Sequence, residues 1–273
     1  MIQKIRNFST WHKQRLIKKT ITFFIIIVCI AILGTGAWFL RNGAFMKINE
    51  VKVSGTRMVS SADIIMLIQS DYARREGFLS FIFPKNHKFV FKNNEELFQL
   101  IQKNFPRIEK TAITRDYQNR AISITVTERR EVITWCIMAN YERHCFWLSD
   151  EGIVIGNALD SRGTLIPVVI DKTNETVFLG KKIIDREKLK NLMKATEMFS
   201  EFNWALEEII IDDALLRDAT ITINSGQKIF ISLLRSPETE GKPVLDEIVF
   251  SGKWPRIEYI DLRVEGKGFY KLR

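Results

Sequence analysis

Apolar residues run uninterrupted by charge from Ile21 to Leu40 (ITFFIIIVCIAILGTGAWFL), and beyond that stretch they fall into the periods of strands and helices. A helix rises ~1.5 Å per residue, so such a run spans ~30 Å, the thickness of a bilayer's hydrocarbon core, and reads as a transmembrane helix. Residues 1–20 hold Lys4, Arg6, Lys13, Arg15, Lys18 and Lys19 and no acid, whereas the far side begins with Arg41, Lys47 and Glu50. That asymmetry keeps the N-terminus in the cytoplasm. Trp38 and Phe39 stand where an interfacial aromatic belt forms, with Trp11 near the inner end. A cleaved signal peptide, cut near Gly34-Thr35-Gly36, and a buried core helix are the other readings; the long run behind a long basic leader favours an uncleaved anchor.

After the anchor, Ile48 to Val53 (INEVKV) alternates with period two, a half-buried strand ending at Ser54-Gly55. Ser60 or Ser61 caps a helix with Ile64, Ile65, Leu67 and Ile68 on its apolar face and Asp63 at the positive end of its dipole. The long connection from Asp71 to Lys92 carries an apolar island, Phe78-Leu79-Ser80-Phe81-Ile82-Phe83, which fits either a segment tucked against the domain or a membrane- or partner-contacting loop. Asn93 or Asn94 caps a second helix, with Leu97, Phe98, Leu100 and Ile101 buried, that ends near Asn104 before Pro106. Thr111 to Arg115 and Ala121 to Thr127 are strands about a turn at Asp116 to Asn119. Strand, helix, helix, strand, strand closes into a small sheet with both helices on one face.

The remainder is β-rich with one clear helix. Trp135 to Trp147 reads as a hairpin, and Phe146 to Ile155 as two strands joined at Asp150-Glu151-Gly152, where glycine is free to take a positive φ. Pro167 to Ile170 is a short strand. Asp185 caps a helix whose stripe is Leu189, Leu192, Met193, Thr196, Phe199 and Phe202, a core face at helical spacing. Glu208 to Ile211 is a strand, Ala219 to Leu233 a hairpin turning at Asn224-Ser225-Gly226, and Pro243 to Ile248 a short helix. The fold class is therefore α+β.

Charge changes this picture little. The chain has 41 Lys and Arg against 32 Asp and Glu, net +9, but six of the basic residues lie in the leader and the other 35 leave only +3. The balance is a topology signal with some attraction to anionic headgroups, and not a nucleic-acid footprint. Of the three cysteines, Cys29 lies within the span. Cys136 and Cys145 lie beyond it, in an oxidising compartment if the topology holds. A hairpin turning at Asn140-Tyr141 sets them opposite each other, so a disulfide is geometrically open, as are two buried thiols if the turn shifts by one residue. Candidate chemistry is absent from the motifs: His12, His87 and His144 are scattered, and no His-Glu-x-x-His, glycine-rich phosphate loop or Gly-x-Ser-x-Gly elbow occurs. Asp150 and Glu151 are adjacent in a turn, where they point apart. The sequence predicts no enzyme, no metal, no cofactor and no small-molecule substrate.

INEVKVSG followed by a serine-capped helix, and then NFPRIEKTAITRDYQNRAISITVTERREVITW, resembles the polypeptide-transport-associated (POTRA) domain of the bacterial division proteins FtsQ and DivIB. The Glu128-Arg129 dipeptide, the DEGIV hairpin and YIDLR (Tyr259 to Arg263) resemble further motifs of that family, so the likeness runs from the leader to the C-terminus. Two departures stand out: Arg130 and Glu131 replace the usual proline after Glu-Arg, and Val264 stands where an aromatic residue is common.

The resemblance implies a basic cytoplasmic tail (1–20), a transmembrane helix (21–40), a POTRA-like domain (46–127) and a second β-domain (128–273). It implies a non-enzymatic scaffold in the cell inner membrane, its bulk periplasmic and concentrated at the septum. There it would link early and late division proteins and help control septal peptidoglycan synthesis. FtsB/FtsL-type coiled-coil partners would dock on the terminal strand through Tyr259, Arg263, Val264, Glu265, Gly266, Lys267, Gly268 and Phe269. Other partners would dock on the first domain at Val51, Lys52, Val53 and Gly55. An exposed last strand offers unpaired N–H and C=O groups to another chain; a capped strand with a two-glycine terminal turn is the plainer alternative. A POTRA translocation or chaperone module and a membrane-anchored cell-wall enzyme are the competing functions.

Overall fold

The computed structural model describes residues 21–36, 38, 48–73, 93–139, 142–160, 166–173, 176–213 and 215–273. The basic leader, Phe39 to Lys47, the island at residues 78–83, His87 and the Asn140-Tyr141 turn lie outside the described residues. Residues 21–36 form helix α1 with every side chain exposed. Among the described residues no helix is long and apolar enough to cross a membrane. The described part of α1 measures only ~24 Å at ~1.5 Å per residue, short of the hydrocarbon core.

Contacts divide the chain into two compact units, residues 1–54, 61–97 and 112–125, and residues 55–60, 98–111 and 126–273. The order after α1 is β1 (Glu50–Ser54), α2 (Ser61–Ala73), α3 (Asn94–Asn104), β2 (Ile108–Asp116) and β3 (Ala121–Glu128), and the three strands lie in the order β1-β3-β2. β1 runs parallel to β3, with Val51 opposite Ile122 and Val53 opposite Ile124. Asn93 caps α3, its Oδ1 accepting the Glu95 N–H at 3.2 Å. β2 starts earlier than the expected Thr111, because buried Ile108 extends the apolar set past the charges of Glu109 and Lys110.

Nine further strands form one sheet: β4 (Ile133–Ala139), β5 (Glu142–Leu148), β6 (Val154–Ala158), β7 (Val168–Asp171), β8 (Leu206–Ile211), β9 (Asp218–Ile223), β10 (Lys228–Ser232), β11 (Ile257–Leu262) and β12 (Phe269–Leu272), ordered β12-β11-β10-β9-β8-β7-β4-β5-β6. α4 (Arg186–Glu201) and, after the short α5 (Pro237–Glu240), α6 (Lys242–Phe250) cover one face. Register aligns one residue from each strand but β6 into a row on that face: Phe146, Trp135, Val169, Ile209, Ile221, Ile229, Ile260 and Tyr270. Its middle members share a core with Leu189, Leu192 and Phe199 of α4 and Leu245 and Ile248 of α6. The next residue along each strand makes a row on the opposite face, Cys145, Cys136, Ile170, Ile210, Thr220, Phe230, Asp261 and Phe269.

Asp185 occupies the N-cap of α4 but makes no side-chain cap bond. Its carboxylate pairs with Lys182 at 3.1 Å instead, so the expected cap exists by position only. The Glu128-Arg129 dipeptide binds outward in two directions. Glu128 accepts the backbone N–H groups of Arg57, Met58 and Val59 through Oε1 at 2.7, 3.1 and 3.1 Å. Arg129, its guanidinium buried, donates to the Pro106 carbonyl at 3.2 Å and pairs with Glu151. Glu131 pairs with buried Arg107.

Trp135 is fully buried, and its indole Nε1–H donates to Asp171 Oδ2 at 2.9 Å; Asp171 Oδ1 accepts the Thr173 N–H at 2.8 Å. Replacing Asp171 by Ala leaves a buried indole N–H without its acceptor, which costs on the order of 1–3 kcal/mol. Urea denaturation of Asp171→Ala should show a lowered midpoint with an unchanged slope; an unchanged midpoint would mean that the bond contributes nothing.

Candidate docking edge

The C-terminal strands place the candidate residues. β11 carries IEYIDL and is covered on both sides, pairing parallel with β10 and antiparallel with β12. The sequence expectation put the exposed edge on the Tyr259 to Arg263 strand and the residues just after it; the strand itself is interior, and the edge at this end of the sheet is β12, bonded among the described residues to β11 alone. Its four residues are all exposed, Phe269 by 53%, Tyr270 by 40% and Leu272 by 42%. Residues 263–268 form the turn between the two strands, closed by Lys267 N–H donating to the Val264 carbonyl at 3.2 Å.

Both glycines of that turn have structural causes. Gly266 has φ +63°, a conformation side-chain-bearing residues rarely adopt. A Cβ on Gly268 would sit 2.3 Å from Val244 Cγ1 on α6, so only glycine lets the turn pass the helix. The carbonyl of Arg263 accepts a bond from the Arg235 guanidinium, which ties the start of the turn down.

Register divides β12 by face. Phe269 stands opposite Asp261 and Lys271 opposite Tyr259, on the face away from the helices. Tyr270 and Leu272 stand opposite Ile260 and Ile257, on the helix face, where Lys253 Nζ donates to Tyr270 Oη at 2.9 Å. The outer face continues inward as a row: Tyr259 meets Phe230 edge-on at 5.7 Å between centroids, and the Arg263 guanidinium lies 5.1 Å over the Phe230 ring. Arg263 is also committed internally, to Asp261 Oδ1 and Oδ2 at 2.9 and 2.6 Å and to Asp218 at 3.7 Å. Arg263 and Asp218 border an open cavity of about 300 Å³ with Asp212, Asp213 and Arg217.

The hydrogen bonds from Arg263 hold the Asp261 carboxyl below its ordinary pKa. Asp218 moves the other way: burial pushes it up, Asp213 and Asp261 add like charge, and Arg263 pulls it partly back. The cluster thus spends one well-placed arginine on two acids.

Of the predicted residues, Tyr259, Arg263 and Phe269 share the outer face, whereas Val264, Glu265, Gly266, Lys267 and Gly268 belong to the turn. Val51, Lys52, Val53 and Gly55 lie on or just after β1, an edge strand of the small sheet, with Val51 buried and Lys52 exposed beside Glu50 at 3.2 Å. Gly55 has φ +84°, and a Cβ there would meet the Val126 carbonyl at 2.2 Å. Tyr270 and Leu272 of the same strand lie outside the predicted set, although the short FYKL run after the glycine turn has strand-like composition. Among the described residues no group of three or more His, Cys, Asp or Glu could hold a metal ion.

The geometry defines a class, a mixed α+β chain in which, among the described residues, β12 has one unpaired edge. No protein-family profile matches the chain. Among curated proteins it is similar to the cell division protein FtsQ of Streptomyces collinus, 26% identical over 125 residues, which cover 46% of this chain and 41% of the relative's length.

Because Asp261 titrates below its unfolded value of about 3.9, its ionised form contributes stability that is complete above that value and is lost as pH falls through the folded one. Wild type should therefore be more stable than Asp261→Asn at neutral pH in urea melts, and the gap should narrow as acid protonates the Asp261 carboxyl. A gap that persists unchanged in acid would place the stabilisation elsewhere.

Proposed function

We propose that this chain is a non-enzymatic scaffold of the bacterial division machinery. Residues 21–40 anchor it in the inner membrane with the N-terminus cytoplasmic, and a POTRA-like domain (46–127) and a β-domain (128–273) lie in the periplasm or its equivalent. The observation that carries the reading is the free edge of β12 beside the YIDLR strand, in a chain similar to a cell division protein. A strand with unpaired N–H and C=O groups is completed by an extended segment of a second chain, whose side chains are then selected by alternate faces.

FtsB/FtsL-type single-pass coiled-coil proteins are the proposed partners at this edge. Phe269 supplies an apolar contact on the outer face, and the turn from Val264 to Gly268 borders the strand. Val51, Lys52, Val53 and Gly55 on the small sheet form a second docking face for other division proteins. The chain performs no chemistry in this account; it brings partners to the septum and through them influences peptidoglycan synthesis.

A fluorescent fusion of the full chain should concentrate at the septum, and depletion should give filaments. Even envelope fluorescence with normal division after depletion would contradict the proposal. Phe269→Asp, which places a charge on an already exposed position, should weaken capture of the coiled-coil partner by about tenfold, roughly 1.4 kcal/mol, with the urea midpoint unchanged. Undiminished capture would remove Phe269 from the docking surface.

A further inference from the structure

Cys136 and Cys145 face each other in register across β4 and β5 and are joined by a disulfide. They lie on the face away from the helices, since their neighbours Trp135 and Phe146 belong to the helix-side row. That face is usually the more accessible one, yet Cys136 is 0% exposed and Cys145 5%. In register, Ile170 of β7 flanks Cys136 and Ala158 of β6 flanks Cys145. The completed sheet therefore leaves an oxidant or a reductant almost no surface of either cysteine to reach.

We infer that Cys136 and Cys145 are a substrate pair for thiol–disulfide exchange outside the cytoplasm, oxidised while the sheet assembles and sealed once it closes. Cytoplasmic thiols are kept reduced, so a bond between these two residues assigns their hairpin to an oxidising compartment without reference to any membrane span. The oxidant is a protein disulfide of the thiol-oxidase class. One cysteine thiolate attacks that disulfide and forms a mixed disulfide; the other thiolate then attacks the chain's own sulfur and expels the oxidant as a dithiol. Two thiol protons are released from the chain and two electrons pass to the oxidant. The two cysteines are nine positions apart in sequence. A hairpin this local closes before strands from distant sequence arrive, which gives the oxidant its interval. Burial makes the bond a fixed staple and not a switch.

The test counts alkylatable thiols in the full chain, where Cys29 is the third cysteine. Cells quenched in acid and alkylated in denaturant without reductant should give one adduct per chain. Purified folded protein treated with dithiothreitol should still give one, and the same treatment in urea three. Newly made chain in cells lacking the extracytoplasmic thiol oxidase should give three. Three adducts straight from wild-type cells, three from folded protein under dithiothreitol, or one in the oxidase-deficient cells would each overturn the inference. Septal recruitment does not enter these counts, so the inference and the division proposal fail separately.

Discussion

Strand register is the constraint on which the larger sheet depends. Phe146, Trp135, Val169, Ile209, Ile221, Ile229, Ile260 and Tyr270 align across eight of its nine strands, and α4 and α6 close over the middle of that row. A slip of one residue in any pair would turn a strand's apolar set away from the helices, so every pair enforces the next. The row ends at half-exposed Tyr270, where the core runs out and β12 has no further strand beside it among the described residues.

The same register explains why the terminal edge has two characters. One face of β12 continues the core row through Tyr270 and Leu272; the other continues the polar-aromatic row of Phe230 and Asp261 through Phe269. A segment paired to β12 would meet both. Arg263 illustrates the limit on that surface, because its guanidinium is already held by Asp261 and Asp218 and stacked over Phe230. It shapes the outer face by orienting neighbours, and a partner's acid would have to compete with two carboxylates already in place.

Much of the architecture was legible from local patterns. Period-two alternation located most strands, the Asn224-Ser225-Gly226 turn located the β9–β10 hairpin, and helical spacing located the buried stripe of α4. What local pattern could not supply was adjacency. Nothing in IEYIDL announces that β10 and β12 flank it, so the strand read as an edge when it is interior. The long-range bonds of Glu128 to the 57–59 backbone and of Trp135 to Asp171 are equally invisible to spacing, since their partners are set by the fold. Gly268 was visible as a turn glycine, but its cause, the close passage of Val244, belongs to tertiary packing.

Capture of a second chain by the free edge of β12 is open to site-specific crosslinking in cells, from Phe269 and Tyr270 with Lys52 on β1 as comparison. Crosslinks to a small single-pass coiled-coil protein are expected from the two β12 positions and none to it from Lys52. Crosslinks to that protein from Lys52 alone, or from neither strand, would contradict it.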